Sequence, residues 1–135
     1  MRAPWPAVAL VSLAVAACVK VSSPAAPGST LVDTAREIVT VHCGACHTPT
    51  LPTAMPDALA VFSLADPYWF DRMSDARLHL SVEMVRDRVT ATDDEMREMR
   101  PGLPPLRPTA AEADAYTRFV DSELARRAAG DPTLR

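Results

Sequence analysis

The sequence predicts an all-α protein with one small core. Its 135 residues correspond to about one domain. It has only two Trp, two Tyr, three Phe and four Gly, whereas Ala, Leu and Val are abundant, and this composition favours helices over a strand-rich sandwich. The net charge of −3 argues against nucleic acid as a partner.

The N-terminal segment predicts an export signal rather than a part of the fold. Residues 7–17 form an almost wholly apolar run that follows Arg2. The run has the length of a signal-peptide core and is too short to span a bilayer. Two cleavage sites remain open. One is an ordinary secretory site at residues 14–16, and the other is residues 15–18 (Val-Ala-Ala-Cys), which resemble the lipobox of bacterial lipoproteins.

The lipobox interpretation explains Cys18. The other two cysteines belong to one motif, so Cys18 has no intramolecular partner in an oxidising compartment. Lipidation of Cys18 removes this free thiol and anchors the chain to a membrane without a spanning helix. The chain is therefore expected to divide into a signal peptide with a lipobox (1–17), a flexible tether (18–29), a domain (30–129) and a C-terminal tail (130–135).

The first long helix is expected from Thr30 to Cys46. Apolar residues recur along it with a helical period, and Thr30 followed by Asp33 provides an N-terminal cap. Three prolines between residues 49 and 56 then exclude regular structure, so residues 48–59 are predicted to form a loop. Short helical turns are expected within 58–64 and 68–73.

Two further long helices are predicted downstream. One begins at Ser74, and apolar residues follow it at helical spacing. The last opens at Thr109, where Glu112 completes a capping box, and Gly130 ends it. Residues 90–108 between them are predicted to be a long connection with one helical turn after Thr92. A loop of this length in a small domain is usually functional.

Residues 43–47 carry the strongest chemical signal. They read Cys-Gly-Ala-Cys-His, the CxxCH spacing for covalent attachment of a c-type haem. Thiols three positions apart on a helix point the same way, so Cys43 and Cys46 can bond two vinyl groups of one porphyrin, and His47 can ligate the iron. The small residues Gly44 and Ala45 are expected to let the backbone approach the macrocycle.

Other uses of the two cysteines fit the sequence less well. A thioredoxin-type site needs a strand and helix pattern that is missing before Cys43. A zinc site needs a second pair of ligands, and only His42 and His79 remain. A disulfide between Cys43 and Cys46 closes a very small loop and stabilises little. His42 is expected to face solvent or the edge of the haem.

With this motif, residues 30–127 resemble a small bacterial class I cytochrome c. The resemblance implies one covalent haem c, and an N-terminal helix that ends in CxxCH and crosses a C-terminal helix bearing an inner aromatic. That aromatic is Tyr116 or Phe119. It also implies that the carbonyl of Pro56, or else of Pro52, accepts the ring N–H of His47.

The sixth iron ligand is where the chain departs from this family. Members often carry a Met before two prolines ahead of the last helix, but Leu103 stands at this place in residues 101–105. Leucine cannot ligate iron, so Met99 is the favoured ligand opposite His47. The remaining alternatives are an open iron position or one of five other side chains: Met96, Met55, Met73, Met84 and His79.

The resemblance implies an electron carrier rather than an enzyme. The expected function is one-electron transfer to or from a redox partner protein at the periplasmic side of a bacterial membrane. A lipid anchor is expected to hold the protein there, and the outer membrane is the favoured membrane. A soluble periplasmic protein and an accessory subunit of a larger oxidoreductase remain open. The alternative function is a haem-based sensor or small-ligand-binding module, in which Leu103 leaves the distal site open for a diatomic molecule.

Overall fold

A computed structural model describes residues 30–130 of the protein. The predicted signal peptide, the tether with Cys18 and the tail beyond Gly130 lie outside the described residues. Residues 30–130 contain helices and no strand, which confirms the all-α class. None of the helices in this range combines the length and the apolar character needed to cross a membrane.

The helices begin where the sequence predicts capping residues. The α-helices are α1 (Leu31–His47), α2 (Pro56–Val61), α3 (Asp75–Thr90), α4 (Asp93–Met99) and α5 (Ala110–Ala128), and a 3₁₀ helix spans Trp69–Arg72. Thr30, Ser74, Thr92 and Thr109 each accept a hydrogen bond from the backbone N–H three residues on. At the three threonines an acidic side chain completes a capping box.

The prediction of a loop over residues 48–59 is wrong at its end. Pro56 is the first residue of α2. Proline is favoured at this position because its fixed φ suits a helix and its missing N–H has no intrahelical partner to lose. The turn expected after Thr92 is also longer than predicted, because α4 continues to Met99.

The core lies where α5 packs against both α1 and α3. The two largest buried side chains are Trp69 of the 3₁₀ helix and Tyr116 of α5, with ring centroids 6.4 Å apart. Phe119 packs edge to face against Phe70 at 5.2 Å. The two candidates for the inner aromatic of α5, Tyr116 and Phe119, are therefore both buried, and they join the 3₁₀ helix to the helical core.

An ionic cluster attaches the C-terminal part of α5 to the 3₁₀ helix. The carboxylate of Glu123 is buried and accepts hydrogen bonds from Arg126 and Arg127. Arg127 also donates to the backbone carbonyls of Phe70 and Met73, each at 2.8 Å. One guanidinium therefore contacts the carbonyl of Phe70, which also accepts from the N–H of Met73, and the carbonyl of Met73 itself, and so aligns the two elements.

Gly44 provides a test of how tightly α1 packs. A Cβ added at Gly44 meets no atom closer than 3.6 Å, so the position has room for alanine. Replacing a glycine inside a helix removes the backbone entropy that glycine loses on folding. We therefore expect Gly44→Ala to raise the free energy of unfolding by about 0.5–1 kcal/mol, measured by urea denaturation.

The matched control is Gly102→Ala. Gly102 has φ +75°, a left-handed conformation that strains alanine, so this variant is expected to lose roughly 1 kcal/mol. A loss of stability in Gly44→Ala would show that the surroundings of α1 are more tightly packed than described.

Candidate functional site

A cleft of about 440 Å³ opens between α1, α2, α3 and the end of α4. The volume falls within the range of about 300–1,000 Å³ that is usual for small-molecule and cofactor sites. Its walls are mainly apolar, with Val39, Val61 and Val85 among them, and Tyr116 of α5 contributes to the lining. The cleft can therefore take a mainly apolar occupant that also offers a few polar contacts.

The last two turns of α1 place the residues of the CxxCH motif on one wall of this cleft. Cys43, Cys46 and His47 all line it, and neither cysteine forms a disulfide within the described part of the chain. Burial raises the pKa of the Cys43 thiol above its usual value, against the opposing effect of the Arg88 guanidinium. The structure thus brings together the three motif residues that the sequence predicts to act together.

The C-terminus of α1 is held by the chain that follows it. The hydroxyl of Thr53 donates to the carbonyl of Ala45 at 2.6 Å, and the N–H of Met55 donates to that of Cys46 at 3.1 Å. The N–H of Leu64 donates to the carbonyl of His47 at 2.9 Å. Because these carbonyls lack donors within the helix, the returning chain fixes the part of α1 that carries the motif.

His47 is oriented by Phe62. The two rings stack with centroids 3.7 Å apart and planes 5° from parallel, and Nδ1 of His47 lies 3.1 Å from the backbone oxygen of Phe62. A carbonyl oxygen only accepts, so Nδ1 donates and Nε2 carries the lone pair of the neutral ring. Burial lowers the pKa of His47, although backbone hydrogen bonding opposes it, and the neutral form needed for metal ligation is favoured.

The predicted partner of this ring nitrogen was wrong. Neither Pro56 nor Pro52 accepts the His47 hydrogen bond, which goes to Phe62. Pro56 begins α2, where a carbonyl is directed along the helix to the residue four positions on. Phe62 follows the last residue of α2 in an extended conformation (φ −159°, ψ 162°), and its carbonyl is available to a neighbouring side chain.

The structure places four of the candidate sixth ligands in the cleft and two outside it. Met99 lines the cleft and is 47% exposed. Met55, Met73 and Met84 line it as well. Met96 is fully buried, and it is absent from the cleft wall. His79 and Leu103 also lie off this wall, so four methionines share the cleft with the motif.

Two smaller expectations are corrected at the motif. His42 does not face solvent, since it is only 3% exposed and its Nε2 lies 3.5 Å from Oε1 of Glu112, but it lines the cleft, so its expected place at the edge of the haem stays a prediction. Helical spacing places residue 42 one turn after the buried Ile38 and Val39. Gly44 does not face the cleft either, since a Cβ there would point towards Thr48 and Leu64.

The cleft also carries cationic side chains, of which sequence reasoning missed Arg77 and Arg88. Arg77, Arg88 and Arg100 line it, and the ion pairs among residues 30–130 include none of them. Arg107, which the sequence places beside Arg100 in the same connection, pairs with Asp93 instead. The register that turns an arginine inward is set by tertiary packing, so residue type alone does not reveal it.

The floor of the cleft carries one polar pair. The hydroxyl of Ser81 donates to the carbonyl of Leu78 at 2.6 Å, so the hydroxyl of Tyr116, 2.9 Å away, donates to Ser81. Burial raises the pKa of Tyr116 well above its usual value. The phenol is therefore neutral and joins α5 to α3 below the cleft.

Comparison with known proteins identifies no relative of this chain. No protein-family profile, no curated protein and no solved structure matches the chain. Within residues 30–130, no group of three or more His, Cys, Asp and Glu side chains is arranged to hold a metal ion by itself. The interpretation of the cleft therefore depends on the chemistry and placement of its own side chains.

Proposed function

We propose that this protein is a one-electron carrier that binds one haem c covalently in the cleft between α1 and α3. The observation that supports the proposal most is that two thiols and a neutral imidazole share one wall of a mainly apolar cleft. In this proposal Cys43 and Cys46 hold the haem through thioether bonds, and Nε2 of His47 ligates the iron. The bound haem would supply an iron that can accept and release one electron.

The donor set of the cleft fits this group. His47 has a fixed tautomer because its Nδ1 donates to Phe62, and this kind of outer hydrogen bond orients a ligand and raises its basicity. With a macrocycle bound, the apolar walls would exclude water and lower the local dielectric, which would limit reorganisation when the charge on the iron changes.

The mouth of the cleft also supports an apolar occupant. Leu80, Met84, Met55 and Met99 all line the cleft, yet each side chain is about half exposed. Large apolar side chains gathered at one opening usually mark a binding surface. A macrocycle in the cleft would cover part of them, and the rest would surround the edge through which a redox partner protein exchanges electrons.

Met99 is the sixth ligand in this proposal. Met99 is the last residue of α4, three positions after the buried Met96, and it lines the cleft. Its thioether is about half exposed, so it would be able to turn towards an iron in the cleft. Ligation by His47 and Met99 would favour the ferrous state and raise the reduction potential, which suits electron transfer, and it would leave no position on the iron for a diatomic ligand.

Carbon monoxide distinguishes electron transfer from ligand sensing. We expect the absorption spectrum of the ferrous holoprotein to stay unchanged under carbon monoxide, because Met99 occupies the sixth position. The ferric holoprotein is expected to show the weak long-wavelength band of a thioether–iron bond. Met99→Ala is expected to lose this band and to bind carbon monoxide.

Two variants serve as controls for Met99→Ala. Met55 and Met84 line the same cleft with similar exposure, so Met55→Ala and Met84→Ala are expected to keep the band. Rapid carbon monoxide binding by the unsubstituted holoprotein would favour the sensor function instead. Loss of the band in Met84→Ala or Met55→Ala alone would assign the ligand to that residue.

The proposal places the domain at the periplasmic side of a bacterial membrane. The support is the N-terminal pattern of residues 1–18, which resembles an export signal with a lipobox. We expect the exported protein to sediment with membranes and to take up a labelled fatty acid, and Cys18→Ser to appear in the soluble periplasmic fraction without label. Membrane association unaffected by Cys18→Ser would contradict the lipid anchor.

A further inference from the structure

Two of the three cleft arginines, Arg88 and Arg100, are at least partly buried and have no counter-charge in the described residues, whereas Arg77 is exposed. Arg100 is only 7% exposed, and its guanidinium makes one long hydrogen bond, 3.5 Å to the carbonyl of Leu106. Arg88 is partly buried, and its Nε has no hydrogen-bond partner among residues 30–130. Neither forms an ion pair with a carboxylate of this part of the chain.

Arg88 lies directly beside the motif. Its terminal nitrogen is 3.4 Å from the carbonyl oxygen of His42 and 3.9 Å from the sulfur of Cys43. Arg100 lines the same cleft as Cys43, and its positive charge, like that of Arg88, opposes the rise that burial causes in the pKa of Cys43. Both charges therefore act on the wall that carries the motif.

A buried charge without a counter-charge raises the free energy of the folded protein. Its presence in an apolar cleft therefore points to an electrostatic role there. Charges interact more strongly across a low-dielectric cleft than across water. A fixed positive charge beside a redox centre destabilises the state of that centre with the higher positive charge. The ferric state carries one positive charge more than the ferrous state, so these guanidiniums favour the ferrous state.

We propose that Arg88 and Arg100 set the reduction potential of the centre by raising it, an inference that rests on the proposed haem function. The sign does not depend on what the guanidiniums contact in the holoprotein. If an anionic substituent of the macrocycle pairs with either of them, removing the guanidinium exposes the iron to that anion and again favours the ferric state.

The test is the midpoint potential of holoprotein variants, measured by spectroscopic redox titration. Arg88→Met removes the charge and keeps much of the side-chain length. We expect the ferrous-to-ferric ratio at a fixed ambient potential to fall on the order of tenfold, a downward shift of about 59 mV for a one-electron couple. Arg88→Lys keeps the charge and is expected to keep most of the potential.

Arg86→Met is the matched control. Arg86 lies on the same helix and is exposed, and it does not line the cleft, so its loss changes the net charge equally but is screened by solvent. We expect its shift to be less than a third of that of Arg88→Met. Equal shifts in the two variants, or a rise of the potential in Arg88→Met, would overturn the inference.

Two further measurements keep the result interpretable. The long-wavelength ferric band must persist in each variant, which shows that the shift does not come from a changed iron ligand. Circular dichroism shows whether Arg100→Met keeps the helicity of the unsubstituted protein. At equal helicity, Arg100→Met is expected to lower the midpoint potential, as Arg88→Met does. If the unsubstituted protein carries no haem, the proposed function fails, whereas a haem-bearing protein with a potential insensitive to Arg88 refutes only this inference.

Discussion

The hydrogen bonds that end α1 are the constraint on which the candidate site depends. A helix C-terminus leaves carbonyls without donors, and here the following chain supplies them for three consecutive residues, from Ala45 to His47. The same segment places the ring and the carbonyl of Phe62 against His47. The end of the helix and the orientation of the imidazole are therefore set together, with Cys46 next to His47 and Cys43 one turn before it.

This arrangement gives the domain a packed side and an open side. On the packed side, the aromatic cluster of the 3₁₀ helix and α5 excludes solvent, and Arg127 satisfies the backbone beside it. On the open side, the cleft keeps thiols, an imidazole and thioethers near solvent. The apolar rim of the cleft is buried only when a group fills it, so binding a large cofactor there would also stabilise the fold.

The sequence predicts the local features of this fold well and the tertiary ones poorly. The capping threonines and the start of α3 depend on neighbouring residues, and the structure confirms them. The hydrogen-bond partner of His47 depends on where α2 ends, so Phe62 was missed in favour of Pro56. The inward direction of Arg88 depends on how α3 packs against α5 and carries no local signature. His42, in contrast, continues the buried stripe of α1, and its burial could have been predicted from helical spacing.

Intact-mass analysis of exported protein tests the central claim most directly. The chain is produced with a haem-attachment system, denatured and compared with the double variant Cys43→Ala, Cys46→Ala. Covalent attachment predicts that the unsubstituted chain carries the added mass of one haem after denaturation and that the double variant does not. An unsubstituted chain that shows only its polypeptide mass, with both thiols free for alkylation, would contradict the claim.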